Sequence, residues 1–192
     1  KLINGKPLIL YSIEQAIQSE MFDDIVVSSD SEKILNIVSN FNEISLLNRP
    51  KHLSSDEVGK LPVIQHCVKN IEKAKNIEYN TVVDLDVTSP LRHVNDIKNS
   101  ILILEKSDSN NLITGCEARR SPYFNLVELN SKGFVQLSKS LNHQLVRRQD
   151  SPNCFDMNAS IYVWKKNNFY NIKKVILDET ILYEMPPDQS FD

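Results

Sequence analysis

With 192 residues, 41% of them hydrophobic and 24% charged, the chain has the composition of a globular domain with a real core, which excludes fibrous and disordered classes. A net charge of −3 leaves no basic footprint for nucleic acid, and no apolar run approaches the roughly eighteen residues that cross a bilayer, so neither a nucleic acid nor a membrane is expected as partner. The three cysteines are scattered and odd in number, with neither a disulfide framework nor Cys-x-x-Cys spacing, which fits a reducing cytoplasm.

Taken in order, Lys1 to Lys6 is polar with an Asn4-Gly5 turn, and Pro7 suits the first turn of an amphipathic helix that ends near Glu20. Asp24 to Ser28 reads as a short buried strand, Ser28 to Ser31 as a cap, and Glu32 to Asn40 as a helix. Ile44 to Leu47 is the next strand, completing strand, helix, strand, the grammar of a parallel sheet. Arg49-Pro50 opens a polar loop, Lys51 to Lys60, longer than a simple connection requires. Pro62 starts a helix with Val63, Ile64, Cys67, Val68 and Ile71 on its apolar side, and His66 on it reads as a packing residue rather than a ligand.

Thr81 to Leu85 is a strand that runs into Asp86, breaks at Thr88-Ser89-Pro90, and delivers Arg92 towards the first turn of a helix over Val94 to Lys106. Leu112 to Glu117 is a strand. The pattern then changes: Tyr123 to Leu129 and Gly133 to Leu137 look like a hairpin around an Asn130 to Gly133 turn, an excursion from the α/β core that suits a subunit contact. Met157 to Trp164 resumes the core as a strand, Phe169 and Tyr170 fit a short helix, and Ile181 to Met185 is a final strand. A helix that begins so early lacks its preceding strand, and the chain closes on an extended segment, so residues are expected beyond both ends.

The junction from Val82 to Arg92 carries both charge signs at a strand end, the place where open α/β sheets bind ligands. Asp84 and Asp86 are taken to point to opposite faces of a regular strand, so that only Asp86, nearer the carboxyl end, contacts a substrate or a Mg2+ ion; the alternative is one acid capping the next helix and the other solvated. Arg147, Arg148, Gln149 and Asp150 form a second polar cluster. Arginine's planar fork suits carboxylate or phosphate and glutamine suits hydroxyl or amide groups, a combination fit for a sugar acid, although a solvated loop has the same composition. There is no Gly-x-Gly-x-x-Gly, Walker or Gly-x-Ser-x-Gly motif and no Cys/His nucleophile pair.

The segments Leu2 to Ile9 with Tyr11-Ser12-Ile13, Val26 to Ser31, Arg49-Pro50, Thr88-Ser89-Pro90-Leu91-Arg92, Arg148-Gln149 and Asn158 to Tyr162 resemble, in order through nearly the whole chain, the acylneuraminate cytidylyltransferases, or CMP-sialic acid synthetases. The resemblance implies an α/β, Rossmann-like fold of the nucleotide-diphospho-sugar transferase type: a mostly parallel sheet flanked by helices, with a protruding dimerisation arm. It implies one nucleotidyltransferase domain over residues 1–192, with 121–150 as the inserted arm of a homodimer. The implied reaction joins CTP to a nine-carbon 2-keto sugar acid (sialic, legionaminic or pseudaminic), giving the CMP-sugar and pyrophosphate with Mg2+.

By position, Arg49, Asp56, Lys60 and Ser89 are expected at the nucleotide, and Asp86, Thr88, Arg92, Phe124, Arg148 and Gln149 at the sugar acid. Arg148 is the carboxylate partner and, with Asp192, a catalytic residue; Asp192 matches the first acid of the family's metal pair. The chain departs from the family's pattern where Asp86 replaces a glutamine that contacts the sugar and where Phe124 occupies a place that can carry lysine. Both point towards legionaminic or pseudaminic acid, whose extra acylamino group offers an N–H to Asp86. The family's phosphate-cradling loop belongs upstream of Lys1. Two other readings stand beside this one, a cytidylyltransferase for an eight-carbon keto sugar acid and a non-catalytic nucleotide-sugar-binding or assembly subunit.

Overall fold

The computed structural model describes residues 1–143 and 145–191, with the backbone alone for Arg148. A small antiparallel pair, β1 (Leu2–Ile3) and β2 (Lys6–Pro7), turns through Asn4 and Gly5, both at positive φ. Helix α1 (Leu8–Ser19) follows and ends on Glu20 in the left-handed region. Strands β3 (Ile25–Ser29) and β4 (Ile44–Asn48) pair in parallel around α2 (Glu32–Val38), as the strand-helix-strand pattern predicts. Ser31 makes no side-chain cap to α2; the Ser29 hydroxyl instead accepts from the Ser31 N–H at 3.1 Å.

Helix α3 (Lys60–Lys75) begins two residues earlier than Pro62 suggests, capped by Gly59, so the proline sits inside the first turn, where its missing N–H costs nothing. Strand β5 (Thr81–Leu85), α4 (Val94–Lys106) and β6 (Asn111–Glu117) lie close to their predicted bounds. The hairpin is formed by β7 (Val127–Leu129) and β8 (Val135–Leu137), paired antiparallel. Strand β9 (Phe155–Lys165) and β10 (Ile181–Glu184) close the order.

Four of these strands form one sheet in the order β10-β6-β9-β5. β10 runs parallel to β6, but β9 runs antiparallel to both β6 and β5, so the core is a mixed sheet. Chain order could not reveal that reversal, because β9 arrives after the hairpin excursion. The register of β6 on β9 shifts between Ile113 and Gly115, and Ala159, opposite the shift, takes a positive φ of 51°. This bulge bends the two strands around each other. One face of the sheet buries Leu112, Ile161 and Val163 against Ile97, Ile101 and Leu104 of α4. The other buries Val82, Tyr162 and Trp164 against Leu61 and Phe169. A third core joins α1, β3 and α2 through Ile13, Val27 and Val38.

Candidate active site

A cleft of about 600 Å³ opens between the facing edges of β3 and β5, covered by α1 and α3. Its middle is apolar; Asp24, Tyr79 and Thr81 line it where β3 and β5 begin, and a charged group gathers where the strands end: Ser28 on β3, Arg49 just past β4, Lys60 at the start of α3, Asp84 on β5 and Asp86 just past it. The parallel strands deliver these groups to one end because each is followed by a turn into a helix or loop on the same side.

Asp84 and Asp86 do not point apart, as the strand reading expects. Residues two apart share a face of a strand, and both carboxylates meet the same ammonium: Lys60 Nζ donates to Asp84 Oδ2 at 2.7 Å and to Asp86 Oδ2 at 2.8 Å. The other oxygen of Asp86 accepts from the Thr88 N–H at 3.0 Å and the Thr88 hydroxyl at 2.9 Å. Burial opposes the charged form of Asp86, but the Lys60 and Thr88 donors outweigh it and hold the carboxyl below its ordinary range. Burial also opposes the Lys60 charge; Asp84, then Asp86, outweigh it and raise the ammonium above its ordinary value. Tyr162 lies beneath, its ring centroid 4.3 Å from Nζ.

Arg49 donates from Nη2 to the Ser28 carbonyl at 2.6 Å and from Nε to the Ser28 hydroxyl at 3.4 Å, which fastens the guanidinium across the end of β3. Asp56 lies on the exposed turn between Ser55 and Val58, and that turn brings Val58 into the cleft wall. Thr88 is exposed at the rim.

Ser89 and Arg92 are expected as ligand contacts, and the structure puts both inside the protein, at 0% and 1% exposure. Arg92 precedes α4 rather than entering its first turn, since the helix begins at Val94. Its guanidinium donates to the Ser160 carbonyl at 2.5 Å, to the Ser12 hydroxyl at 2.6 Å, to Gln15 Oε1 at 3.1 Å and to the Asp86 carbonyl. Burial pushes its pKa down to about 10, against the pull of Asp86 and Asp84, so it stays charged at neutrality. Arg92 therefore shapes the crevice from behind, by tying β5, β9 and α1 together under Asp86. Ser12, Gln15 and Tyr162 complete this support; Ser12 and Tyr162 lie in segments that carry the family resemblance but receive no role from it, and Gln15 is missed by sequence reasoning, because their partners lie some 70 or more residues away.

A second cleft, of about 480 Å³, lies at the foot of the hairpin among Glu117, Arg120, Gln149, Cys154 and Glu184. Gln149 belongs to this cleft and not to the first. Phe124 is 36% exposed at the start of the arm, its N–H bonded to the Ser121 carbonyl at 3.1 Å. The side chain of Arg148, and Asp192 with the metal role expected of it, lie outside the described residues. Among the described residues no group of three or more His, Cys, Asp or Glu side chains could hold a metal ion, and the acid pair on β5 is engaged by Lys60.

Residues 1–189 match the family model described as cytidylyltransferase. The chain belongs to the cytidylyltransferase family. It is 38% identical over 190 residues to the post-translational flagellin modification protein B of Campylobacter coli, covering 99% of this chain and 80% of that protein. To the CMP-N,N'-diacetyllegionaminic acid synthase of Campylobacter jejuni it is 37% identical over 190 residues, with the same 99% and 80% coverage. Among solved structures it superposes on the CMP:2-keto-3-deoxy-manno-octonic acid synthetase complexed with CTP with a TM-score of 0.60 at 12% identity, covering 96% of this chain and 81% of that one. A 4-diphosphocytidyl-2C-methyl-D-erythritol synthase from Anaerococcus prevotii superposes with a TM-score of 0.68 at 11% identity, covering 98% and 81%. These likenesses establish the nucleotidyltransferase fold, and the family establishes the enzyme class.

Proposed function

We propose that this cytidylyltransferase joins CMP from CTP to a nine-carbon 2-keto sugar acid of the legionaminic type, releasing pyrophosphate. The observation that carries the reading is Asp86: an ionised carboxylate at the mouth of the cleft is an acceptor for an N–H, in a chain 37% identical to a CMP-N,N'-diacetyllegionaminic acid synthase over 99% of its length. A diacetamido sugar acid carries two amide N–H groups, and a fixed carboxylate pairs with one of them where a substrate carboxylate would be repelled.

In the reaction the anomeric hydroxyl oxygen bonds to the α-phosphorus of CTP as the bond to the β-phosphate oxygen breaks, with loss of the hydroxyl proton. No covalent enzyme intermediate is required, so the protein aligns the reactants and balances charge. Arg49 and the Asp56 turn are assigned to the nucleotide, and Asp86 and Thr88 to the sugar. Arg148 is assigned to the sugar carboxylate, and Gln149 and Phe124 to the rest of the sugar acid. Since Gln149 lines the cleft at the foot of the arm rather than the one with Asp86, we assign the second set to the partner of a homodimer, reached by the 121–150 arm. A Mg2+ ion accompanying the triphosphate, with Asp192 as its expected protein ligand, would neutralise phosphate charge. The enzyme is placed in the cytoplasm, in keeping with three free cysteines and with the absence, among the described residues, of a helix long and apolar enough to cross a membrane.

The test is pyrophosphate release from CTP with a panel of sialic, legionaminic, pseudaminic and eight-carbon keto sugar acids. Legionaminic acid is expected to give the highest kcat/KM. Preference for the eight-carbon acid, or no release with any acid, would overturn the reading.

A further inference from the structure

The cation at the mouth of the first cleft is already bound by the protein. Lys60 is the first residue of α3, and its ammonium reaches β5, where it donates to Asp84 and Asp86 at 2.7 and 2.8 Å over the Tyr162 ring. An ammonium has three donors and no acceptor. Two are directed at carboxylates and the ring face lies against the cation as well, so a phosphate that took over either of those donors would displace a carboxylate from it. Such an exchange would leave Asp84 and Asp86 close together without their shared counter-charge, which disfavours the ionised pair.

The acceptor side can be counted in the same way. An ionised carboxylate offers about four acceptor positions. In Asp86, Oδ1 takes two bonds from Thr88 and Oδ2 takes one from Lys60, so among the described residues one position, on Oδ2, is left beside the ammonium. The side chain is 24% exposed and lines the cleft.

We propose that Lys60 is a positioning residue for sugar recognition: it holds Asp86 ionised and oriented, with one acceptor position presented to one N–H or O–H donor of the sugar acid, and it touches the sugar only through Asp86. Lys60 is thereby moved from the nucleotide to the sugar side of the site. The inference rests on the sugar-acid reading above. The other groups facing the pair are Asp84 from β5, Arg49 from the end of β4, Tyr162 from β9, Cys67 from α3 and Arg92 from behind β5. Cys67 is neutral, because burial pushes its thiol up to about 11, and Arg92 is tied to carbonyls and hydroxyls. Among the described residues no other cation bridges the two carboxylates as Lys60 does.

The experiment compares wild type, Lys60→Met and Lys60→Arg in pyrophosphate release across pH, with CTP and the preferred sugar acid varied separately, and follows Asp86 by carboxyl carbon NMR titration. In Lys60→Met the KM for the sugar acid should rise about tenfold near neutrality with the KM for CTP nearly unchanged, and the acid limb of kcat/KM should move up by about one pH unit as Asp86 becomes harder to ionise. Lys60→Arg should recover most of both. A rise in the KM for CTP would return Lys60 to the nucleotide, and an unmoved pH profile with an unmoved Asp86 titration would reduce it to a structural residue; either result overturns the proposal. Should Lys60→Met not fold, Lys60→Gln, polar, uncharged and one atom shorter, carries the same comparison. If wild type releases no pyrophosphate with any nine-carbon acid, the functional reading has failed; a working wild type with CTP-selective defects in the variants sinks the Lys60 inference alone.

Discussion

Arg92 and Lys60 are both cations near Asp86, and the structure gives them opposite duties. Lys60 stays at the rim, where its charge sets that of a carboxylate. Arg92 lies 1% exposed and its fork is filled by the carbonyls of Ser160 and Asp86 and by Ser12 and Gln15. Removing such a donor set strands several buried acceptors, each costing about 1–3 kcal/mol. Arg92→Met is therefore expected to destabilise the protein by about 3 kcal/mol or more, read as the urea midpoint at unchanged m-value, and Arg92→Lys to recover only part, because one ammonium cannot span the same acceptors. For the Lys60–Asp86 pair the pH window follows from the directions of the two shifts. Asp86, lowered when folded, contributes stability that is present above its unfolded value near about 4 and lost as pH falls through its folded value; Lys60, raised, contributes below about 10.4 and loses that as pH rises through its folded value. The pair is thus intact across the whole neutral range, and recognition through it should not titrate there.

At the scale of elements, the bulge joining β6 and β9 decides where the site's support can reach. Gly115 stands at the register shift, and a Cβ built there would lie 2.8 Å from the Asp156 carbonyl oxygen and 3.1 Å from Leu182 Cδ1. The first contact is with backbone and cannot be relieved by a rotamer change. Gly115→Ala is expected to cost about 1–3 kcal/mol, measurable as a lowered Tm, whereas the same change at Gly59, where a Cβ meets nothing within 4 Å, should lower Tm less, by the poorer N-cap alone. Beyond the bulge, Asn158 donates to the Ser190 hydroxyl at 3.0 Å and so ties the closing segment of the chain to β9. Ser160 supplies the carbonyl that Arg92 holds, so one irregular strand anchors both that arginine and the segment of Ser190.

At the scale of the whole molecule, the hairpin arm is the feature that a single copy leaves unexplained. Val127 pairs across with Leu137 and Leu129 with Val135, and all four are exposed, at 53%, 43%, 70% and 67%. They share one face of the hairpin, an aliphatic patch of the kind that marks a subunit contact. If the arm holds a homodimer together, Leu129→Asp with Val135→Asp should yield monomers by sedimentation velocity while circular dichroism stays unchanged. Turnover should then fall with dimer content, since Gln149 lines a cleft separate from that of Asp86. A dimer that persists in the double variant would remove the arm from the interface.

The elements themselves were legible without coordinates. Apolar periodicity, Pro7, the Asn4-Gly5 turn and the turn before Phe134 placed α1, α4 and the hairpin, because those signals act within a few residues. The motif segments were legible too, and the family match over residues 1–189 agrees with the resemblance they carry. What only the tertiary structure decided was direction and depth: that β9 runs antiparallel between β6 and β5, that Ser89 and Arg92 lie inside, and that Asp84 and Asp86 share one ammonium. Each of these depends on partners far away in the chain, such as Lys60 on α3 and Ser160 on β9. The stretch from Val82 to Arg92 announces its charges in sequence, but whether a charge meets ligand, solvent or the protein's own carbonyls is set by what packs against it.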